Sequence, residues 1–518
     1  MKRYKYIAVM LSVSMMLTAC AGNAAADTTV TNQNDTDVIT ADTDGNTVTD
    51  TITDTSELFS DRDLSGDYDA SACEQITLSD AGSTSTSAGV TIDQNTITIT
   101  KEGDYLVEGL LSDGMIIVDV DKTEKVQLIL NGVNMNSVTS APIYVRQADK
   151  VFVTLADGTT NTLTNGGDFV AIDDNNIDAV IFSKDDLTLN GTGSLNINSP
   201  AGHGVVSKND LVITNGTYEI ISASHGFAGK DSVAIADGSF VINAGKEGIE
   251  GKVVNICGGN LDITAADDGI NAADKDADTS GRGMDTQSDA SINISGGIVK
   301  INAEGDGIDS NGYLTVSGGE IYVAGPSNSG NGALDFGIDA SISGGIVVAA
   351  GQSGMAQNFG SDSTQGSILV NMQEKNEAGS IVTLLDSEGK ELVAWTAEKS
   401  YNSVVVSCPE IVDGGKYTLK TGETSTEITM DGLIYGSGFS FGGGMHGGGG
   451  KPDGQRPDGQ RPKFQDGAKP EDMPEMPDGV KPEDMPEPPQ MPDGEQPEGM
   501  KEPPQMQQEG QSESSTEL

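Results

Sequence analysis

The feature that most constrains this sequence is a strand-turn-strand phrase of about 22 residues that recurs through its centre, as in "DGIDSNGYLTVSGGEIYVAG" at residues 306–325. Six copies, aligned on an inner glycine, follow at intervals of 22, 21, 38, 22 and 26 residues, with the glycines at Gly216, Gly238, Gly259, Gly297, Gly319 and Gly345. In every copy the residues five and three positions before this glycine, and two and four positions after it, are apolar. Alternation with a period of two on both sides of a turn predicts short strands.

A repeat of this length indicates a solenoid, because each unit can bury its apolar face only against the units stacked on it. Two or three short strands per repeat predict an all-β fold, a right-handed parallel β-helix with coils about 4.8 Å apart. The leucine-rich-repeat pattern of the competing solenoid is absent. The paired glycines are expected at corners that need positive φ. Looser copies upstream extend the expected coils from about residue 90 to 360.

Residues 1–19 have the pattern of a bacterial lipoprotein signal peptide. Three basic residues precede an apolar run that is too short to span a bilayer and ends in "LTAC", residues 17–20. We therefore expect Cys20 to be lipidated and the chain to be extracellular, anchored by lipid to the outer face of the bacterial cell membrane. The alternative is an ordinary signal peptide with an incidental cysteine. Residues 20–57, rich in Thr, Asp and Ala, are predicted to be a flexible tether.

The repeat pattern ends before the C-terminal part of the chain. Residues 361–436 contain four or five alternating segments and a Ser-Glu-Gly turn, which predict a small β-sandwich-like module of antiparallel strands covering the end of the solenoid. Trp395, the only tryptophan, is expected in its core, with sugar stacking as the alternative. Residues 437–518 begin rich in glycine and continue rich in proline and acidic residues, so a disordered tail is predicted.

The charge of the chain narrows its possible partners. It has 79 acidic against 29 basic residues, a formal net charge of -50. Such a chain should avoid nucleic acid and anionic lipid and attract cations, calcium above all. Cys73, Cys257 and Cys408 are too far apart in sequence for a metal motif or a disulfide framework, and buried free thiols are expected.

Stacking converts the repeat into columns of side chains. The residue before the first glycine of each copy and the residue two positions after that glycine change from neutral or basic to acidic along the chain. The carboxylates predicted to bind calcium are Glu247, Glu250, Asp267, Asp268, Asp306 and Asp309. Like charges one coil apart repel, and a cation with six to eight oxygen ligands removes that conflict. The alternative is a solvated acidic edge.

The 38-residue interval contains an insertion, "DKDADTSGRGMD", that resembles a calcium loop in composition. The further calcium ligands predicted in it are Asp274, Asp276, Asp278 and Asp285. The segment is not an EF-hand, because position 6 is Thr279, position 12 is aspartate, and no helical pattern flanks it. A similar segment, "DRDLSGDYD" at residues 61–69, is more typical of a turn.

A second column is basic. Four lysines follow one another at intervals of 24, 22 and 22 residues and are predicted to bind substrate: Lys184, Lys208, Lys230 and Lys252. A track of ammonium groups would suit a polyanionic glycan such as a uronate chain. The alternative is a solvated column neutralised by neighbouring aspartates. The stacked pair His203 and His225 could bind a transition metal, but two ligands without a third are more typical of a simple ladder.

The sequence also resembles a family, the bacterial carbohydrate-binding domain-containing proteins with a pectate-lyase-like parallel β-helix. The resemblance covers about residues 58–360 and rests on phrases in order, among them "LFSDRDLSGDYD", "VQLILNGVNMNSVTSAPIYVRQADKVFVTLADGTTNTLT", "AVIFSKDDLTLNGTGSLNI" and the Asp-Gly-Ile coils. It implies calcium-stabilised binding of plant cell-wall polysaccharide, cellulose and pectic polygalacturonate. It also implies that calcium ligands fall on Asp267, Asp268, Asp306 and Asp309.

The favoured function is therefore a surface-tethered, calcium-dependent carbohydrate-binding protein for pectin-type polysaccharide. The low aromatic content, 4%, argues against a stacking strip for cellulose. One alternative is a structural adhesin or stalk. Another is a calcium-dependent pectate lyase acting by β-elimination, in which Lys252 or Lys230 would have to be the base. No catalytic residues are assigned, since no Ser-His-Asp set, nucleotide loop or zinc spacing is present.

Overall fold

The structure is a computed structural model that describes residues 55–275 and 289–436. The chain divides into two units, residues 1–444 and 445–518, and the second lies outside the described residues. The predicted signal peptide, Cys20, most of the tether and the acidic tail also lie outside them.

Two short helices precede the strands, α1 (Thr55–Leu58) and α2 (Asp61–Leu64). The Ser60 side chain caps α2, and the Asp63 carboxylate accepts a hydrogen bond from the Ser60 backbone in return. Asp63 is only 2% exposed, and its Oδ1 lies 2.6 Å from Lys150 Nζ. The "DRDLSGDYD" segment therefore supplies a helix cap and a buried ion pair. At four residues each, neither helix of the described segments is long enough to cross a membrane.

The described strands number 36. Up to residue 199 they are β1 (Glu74–Leu78), β2 (Thr84–Ser85), β3 (Val90–Asp93), β4 (Thr96–Ile99), β5 (Gly103–Leu111), β6 (Met115–Asp119), β7 (Lys125–Ser137), β8 (Ile143–Gln147), β9 (Lys150–Leu155), β10 (Thr160–Asn165), β11 (Ala179–Ser183), β12 (Asp186–Gly191) and β13 (Ser194–Ser199). The next are β14 (His203–Ser207), β15 (Asp210–Ile213), β16 (Thr217–Ser222), β17 (Phe227–Ile235), β18 (Ser239–Ala244), β19 (Ile249–Ile256), β20 (Asn260–Ala265), β21 (Ile270–Ala272), β22 (Ser291–Ile294), β23 (Ile298–Ala303), β24 (Ile308–Ser310), β25 (Tyr313–Val316), β26 (Glu320–Ala324), β27 (Leu334–Phe336), β28 (Asp339–Ile342) and β29 (Ile346–Gly351). The last are β30 (Ser367–Asn376), β31 (Ile381–Asp386), β32 (Glu391–Thr396), β33 (Tyr401–Ser407), β34 (Lys416–Thr421), β35 (Thr424–Thr429) and β36 (Ile434–Tyr435).

Most of these strands form three parallel ladders. The first ladder contains β4, β6, β8, β11, β14, the starts of β17 and β19, β21, β24 and β27. The second contains the starts of β5 and β7, then β9, β12, β15, the ends of β17 and β19, β22, β25 and β28. The third contains the ends of β5 and β7, then β10, β13, β16, β18, β20, β23, β26 and β29. Each coil adds one strand to each ladder, which confirms an all-β, solenoid-like and mostly parallel architecture.

The interior is filled by the apolar columns of the repeat. Isoleucine, leucine and valine side chains one coil apart are in register and almost fully buried, and Tyr218 stacks on Phe240 with ring centroids 5.2 Å apart. The six inner glycines all have positive φ, between 85° and 132°, as their place at corners predicts.

The glycine that opens each copy has a different role. A Cβ on Gly248 would lie 2.3 Å from Ile263 Cγ2 and 2.6 Å from the carbonyl oxygen of Gly269 on the next coil. Only a residue without a side chain fits there, because the strand entering the first ladder passes directly over the interior and the neighbouring backbone.

The C-terminal strands continue the solenoid and add a second sheet. β33 pairs antiparallel with β29 and with β30, so the third ladder ends in antiparallel strands. β32, β31, β34 and β35 form a separate antiparallel sheet in that order. Trp395 is not in its core, as the sequence suggested, but half-buried and stacked on Tyr322 of β26 at a centroid distance of 6.4 Å. Smaller side chains such as Val382 and Leu384 fill the core, which leaves the indole at its margin.

The three cysteines of the described segments are free. Cys73 and Cys408 are buried and Cys257 is half-buried, in agreement with the expectation of unpaired thiols.

Candidate functional site

The polar columns predicted from the repeat lie together along one edge of the first ladder. Glu250 pairs in register with Asn271, Asn271 with Asp309, and Asp309 with Asp335. A neighbouring column precedes these strands and runs through His203, His225, Glu247, Asp268 and Asp306. The two columns form two distinct groups of side chains rather than one continuous acidic edge.

The first group, called here the aspartate cluster, consists of Asp268, Asp306 and Asp309. One carboxylate oxygen from each lies within 4.8 Å of the others. Asp268 Oδ1 accepts a hydrogen bond from the Asp306 backbone at 2.6 Å, and its Oδ2 accepts one from Asn271 Nδ2 at 3.3 Å. Asp306 Oδ1 accepts from the backbone of Gly332 at 2.5 Å. The backbone of two successive coils therefore fixes the directions of these carboxylates.

The electrostatics of the aspartate cluster are unfavourable without a cation. Burial, followed by repulsion from neighbouring carboxylates, raises the pKa of Asp268 to about 6, that of Asp306 to about 7 and that of Asp309 to about 8. Burial also raises the pKa of the adjacent Asp335. The ionised form is therefore disfavoured in all four carboxyl groups, most of all in Asp309, which largely retains its proton at neutral pH.

The donor atoms of this cluster suit calcium. All the donors are oxygens, and calcium takes six to eight of them from carboxylates, amide carbonyls and water. Asn271 Oδ1 is a further oxygen that is buried without a hydrogen-bond partner. Asp267 is exposed and is not among the three converging residues, although its charge acts on Asp268.

The second group, called here the histidine–glutamate cluster, consists of His225, Glu247 and Glu250. His225 Nδ1 lies 2.6 Å from Glu247 Oε2 and 3.0 Å from Glu250 Oε2. The sequence grouped both glutamates with the aspartates, but the structure turns them toward the imidazole of the preceding coil. His203 stacks on His225, with ring centroids 4.5 Å apart, so the predicted histidine pair is part of a larger arrangement.

In this cluster the pKa values of the carboxyl groups are lowered, in contrast to those of the aspartate cluster. Burial disfavours the imidazolium of His225, but the two nearby glutamates outweigh it and raise its pKa. The same contacts overcome burial and lower the pKa of Glu247, and with Lys275 they lower that of Glu250 to about 2. Burial, and then the positive charge of His225, lower the pKa of His203 to about 3.

The four predicted lysines stand in register. Each follows one of the paired residues Ser183, Ser207, Gly229 and Gly251 of the first ladder. Lys184 and Lys230 are exposed. Lys208 Nζ lies 3.9 Å from Asp178 Oδ1 and 5.1 Å from the centre of the Phe182 ring.

Lys252 is bound by two acids. Its Nζ lies 3.0 Å from Asp274 Oδ2 and also contacts Asp289. Asp274 therefore pairs with a lysine rather than with the aspartate cluster. The other predicted residues of the insertion, Asp276, Asp278 and Asp285, lie outside the described residues.

A cavity of about 280 Å³ lies between the lysine column and the histidine–glutamate cluster. Its polar lining consists of Asp178, His203, Ser207, Lys208, Lys230, Glu250 and Lys275. Lysines and buried carboxylates thus face one space along the first ladder. A second cavity, about 820 Å³, is lined by β30 and β35 and contains none of the predicted site residues.

Several site residues were not predicted. Asp335 belongs to the copy with the 26-residue interval, which lacks the Asp-Gly-Ile phrase, so only its register reveals it. Lys275 and Asp178 lie outside the repeated motif, although both face the cavity.

A polar network on an earlier coil also gave no sequence signal. Tyr144 donates a hydrogen bond to Asp173 at 2.9 Å, and Arg146 bridges Asp173 and Asp119 at 3.0 Å each. Burial and the Asp173 carboxylate raise the pKa of Tyr144 to about 12. The network joins the loop before β11 to β6 and β8.

The chain is similar in sequence to known proteins. Residues 93–287 match the family model of carbohydrate-binding domain-containing proteins. The family resemblance seen in the sequence is confirmed. A carbohydrate-binding domain-containing protein of Acetivibrio thermocellus is 40% identical over 134 residues, 26% of this chain and 47% of that relative. The chain thus spans less than half the length of this relative.

A similar solved structure is the gadolinium derivative of the polysaccharide lyase-like protein from C. thermocellum. It is 30% identical, covers 53% of this chain and 92% of its own, and has a TM-score of 0.36. The matched family and this relative are both named for a carbohydrate-binding domain.

Proposed function

We propose that this chain is a surface-tethered, calcium-dependent carbohydrate-binding protein whose ligand is an acidic polysaccharide of the polygalacturonate type. Its scaffold would be a closed, right-handed parallel β-helix, since connections between parallel strands are right-handed in nearly all proteins. Lipidation of Cys20 would anchor it to the outer face of the bacterial cell membrane.

The observation that carries the proposal is the aspartate cluster on the first ladder. Three partly buried carboxylates converge there, and burial, followed by repulsion from neighbouring carboxylates, raises their pKa values. Asp268, Asp306 and Asp309 would hold calcium, with Asn271 Oδ1 as a further donor. The bound ion would supply positive charge, and a carboxylate of the uronate ligand would complete its coordination.

The lysine column lies on the same ladder and supports an anionic ligand. Lys208 and Lys230 face the 280 Å³ cavity, and Lys184 is exposed one coil before them. Ammonium groups spaced by the coil repeat would contact successive carboxylates of a uronate chain. Their exposure implies modest contributions, about 0.2–1 kcal/mol each.

Cellulose is a weaker candidate ligand. Neutral glucan surfaces are bound by strips of aromatic side chains that stack on the sugar rings. Among the described residues Tyr313, at 41%, is the only strongly exposed aromatic side chain. Pectin-type polysaccharide therefore fits the described surface better.

Binding without turnover also fits the lysines better than β-elimination does. A lyase base needs a lowered pKa, but contacts with Asp289 and Asp274 raise the pKa of Lys252. Lys230, the other lysine considered as a base, lines the cavity on the preceding coil. Ultraviolet absorbance of an unsaturated product would reveal any elimination.

The proposal is tested by retention of the purified chain on insoluble polygalacturonate and on cellulose, with calcium or with a chelator. We expect retention on polygalacturonate that the chelator abolishes, and loss of that retention in Asp306→Asn. Asp262→Asn, which changes an exposed aspartate on β20, is the matched control and should bind normally. Failure to bind either matrix by a folded wild-type chain would refute carbohydrate binding and favour the adhesin.

A further inference from the structure

We propose that the histidine–glutamate cluster is a second metal site, distinct from the calcium site, which binds a divalent first-row transition metal of the zinc type. Its ligands are His225 Nδ1, Glu247 Oε2 and Glu250 Oε2. The site does not depend on the identity of the carbohydrate ligand.

The first reason is the convergence of three donor atoms that lack other partners. His225 and Glu250 are each only 5% exposed. Nδ1 of the imidazole and Oε2 of each glutamate are buried, and none of the three has a hydrogen-bond partner of acceptable geometry. A bound cation would satisfy all three at once.

The separations of the donor atoms fit a small ion. Nδ1 lies 2.6 Å and 3.0 Å from the two carboxylate oxygens. Tetrahedral zinc bonds of about 2.0–2.2 Å place ligand atoms about 3.3–3.6 Å apart, so binding would require the imidazole and the glutamates to separate by about 0.3–1 Å.

The second reason is the chemistry of the donors. Calcium prefers all-oxygen sites, whereas an imidazole with carboxylates suits zinc and its first-row neighbours. Two carboxylates and one neutral imidazole also balance a divalent charge. The donors of the aspartate cluster are all oxygens and favour calcium. Each cluster should therefore bind a different kind of cation.

Neighbouring residues hold the ligands in place. The His203 ring stacks on His225, and its Nδ1 accepts a hydrogen bond from the His225 backbone at 3.3 Å. Lys275 Nζ lies 2.7 Å from Glu250 Oε1, the oxygen that does not face the imidazole. Such outer contacts orient metal ligands in known sites.

The site has a route to solvent. Glu250 belongs both to the cluster and to the wall of the 280 Å³ cavity, which also contains His203 and Lys275. Three protein ligands beside an accessible cavity resemble the arrangement in which zinc keeps an open coordination position.

The test uses the full chain, freed of metal by chelation and titrated with Zn²⁺ by calorimetry in the presence of excess Ca²⁺. We expect one tight Zn²⁺ site per chain that calcium does not displace. His225→Gln and Glu250→Gln should each weaken it by more than about 100-fold, beyond the 10–100-fold typical of a lost outer contact. Asp309→Asn, which alters the aspartate cluster alone, is the matched control and should bind Zn²⁺ normally.

The visible spectrum of the Co²⁺-substituted wild-type chain gives a readout that needs no variant to fold. Intense bands of low-coordinate Co²⁺ that disappear on adding Zn²⁺ would support the proposal. Circular dichroism shows whether each variant is folded. Absence of tight Zn²⁺ binding in the wild type, or equal binding by folded His225→Gln, would overturn it.

Discussion

Replacing Asp309 with asparagine should stabilise the calcium-free protein, and increasingly so as the pH rises. The Asp309 carboxyl has a pKa of about 8 in the fold against an ordinary value of 3.8. Burial and the charges of Asp268 and Asp306 are the causes. A group whose pKa is raised on folding contributes its full stability below the ordinary pKa and loses it as the pH rises toward the folded pKa.

The size of the effect follows from that shift. At pH 7 the unfolded chain has released this proton and the folded chain retains it, which costs up to about 4 kcal/mol relative to acidic pH. Asparagine has nearly the same shape and no charge to bury. The variant and the wild type should therefore be equally stable near pH 4 and diverge by up to about 4 kcal/mol between pH 4 and 7.

Calcium should narrow this difference. It stabilises the protein that binds it by about 2.7 kcal/mol at 100 times its dissociation constant. The wild type should therefore gain stability on adding calcium at pH 8, while Asp309→Asn gains little. Asp262→Asn, on the exposed face of β20, should follow the wild type throughout.

The assay is urea unfolding followed by circular dichroism at several pH values, with chelator and with calcium. Parallel pH profiles for the wild type and Asp309→Asn in chelator would refute the account of a buried, self-repelling cluster. An equal calcium effect on both proteins would place the ion elsewhere.

Three further changes test the scaffold and the ligand surface. Gly248→Ala should lower the free energy of unfolding by about 1–3 kcal/mol through overpacking, while Gly330→Ala, whose Cβ would meet only Asn328 Oδ1 at 3.4 Å, should not; thermal unfolding distinguishes them. Asp63→Asn should cost about 3 kcal/mol, because Lys150 is left with an uncompensated charge; an unchanged midpoint in urea would contradict this. Lys208→Gln should weaken polygalacturonate binding by up to about fivefold at low salt, whereas Lys300→Gln, exposed on β23, should have no effect.

The solenoid could be predicted from the sequence because its determinant is local and repeated. An apolar column such as Ile213, Ile235 and Ile256 is visible as a spacing, and the structure places these residues in register. The inner glycines were equally predictable, since a corner with positive φ favours glycine wherever it recurs.

The grouping of the site residues could not be predicted in the same way. Spacing placed Glu247 and Glu250 on the acidic columns, but it does not say toward which coil a side chain turns. Their contact with His225 depends on side-chain direction and on the burial of the imidazole. Likewise the spacing placed Lys252 in the basic column, but it does not show that the ammonium group contacts Asp274 and Asp289.

The positions of residues in irregular segments could not be predicted either. Asp335 lies within a lengthened copy, so its place opposite Asp309 appears only when the strands are paired. Trp395 was expected in a core because tryptophan is large and apolar, but it covers the junction between two sheets by stacking on Tyr322. No local pattern specifies which side of a small module an indole will face.

The most direct test of the central claim is the calcium affinity of the purified chain, measured by calorimetry with and without a saturating oligogalacturonate. If the ion bridges the aspartate cluster and the ligand, the oligosaccharide must tighten calcium binding by the same factor by which calcium tightens oligosaccharide binding, because coupling between two sites is reciprocal. We predict a reciprocal factor of at least about 10, or about 1.4 kcal/mol. Oligogalacturonate binding that is the same in calcium and in chelator would contradict the account.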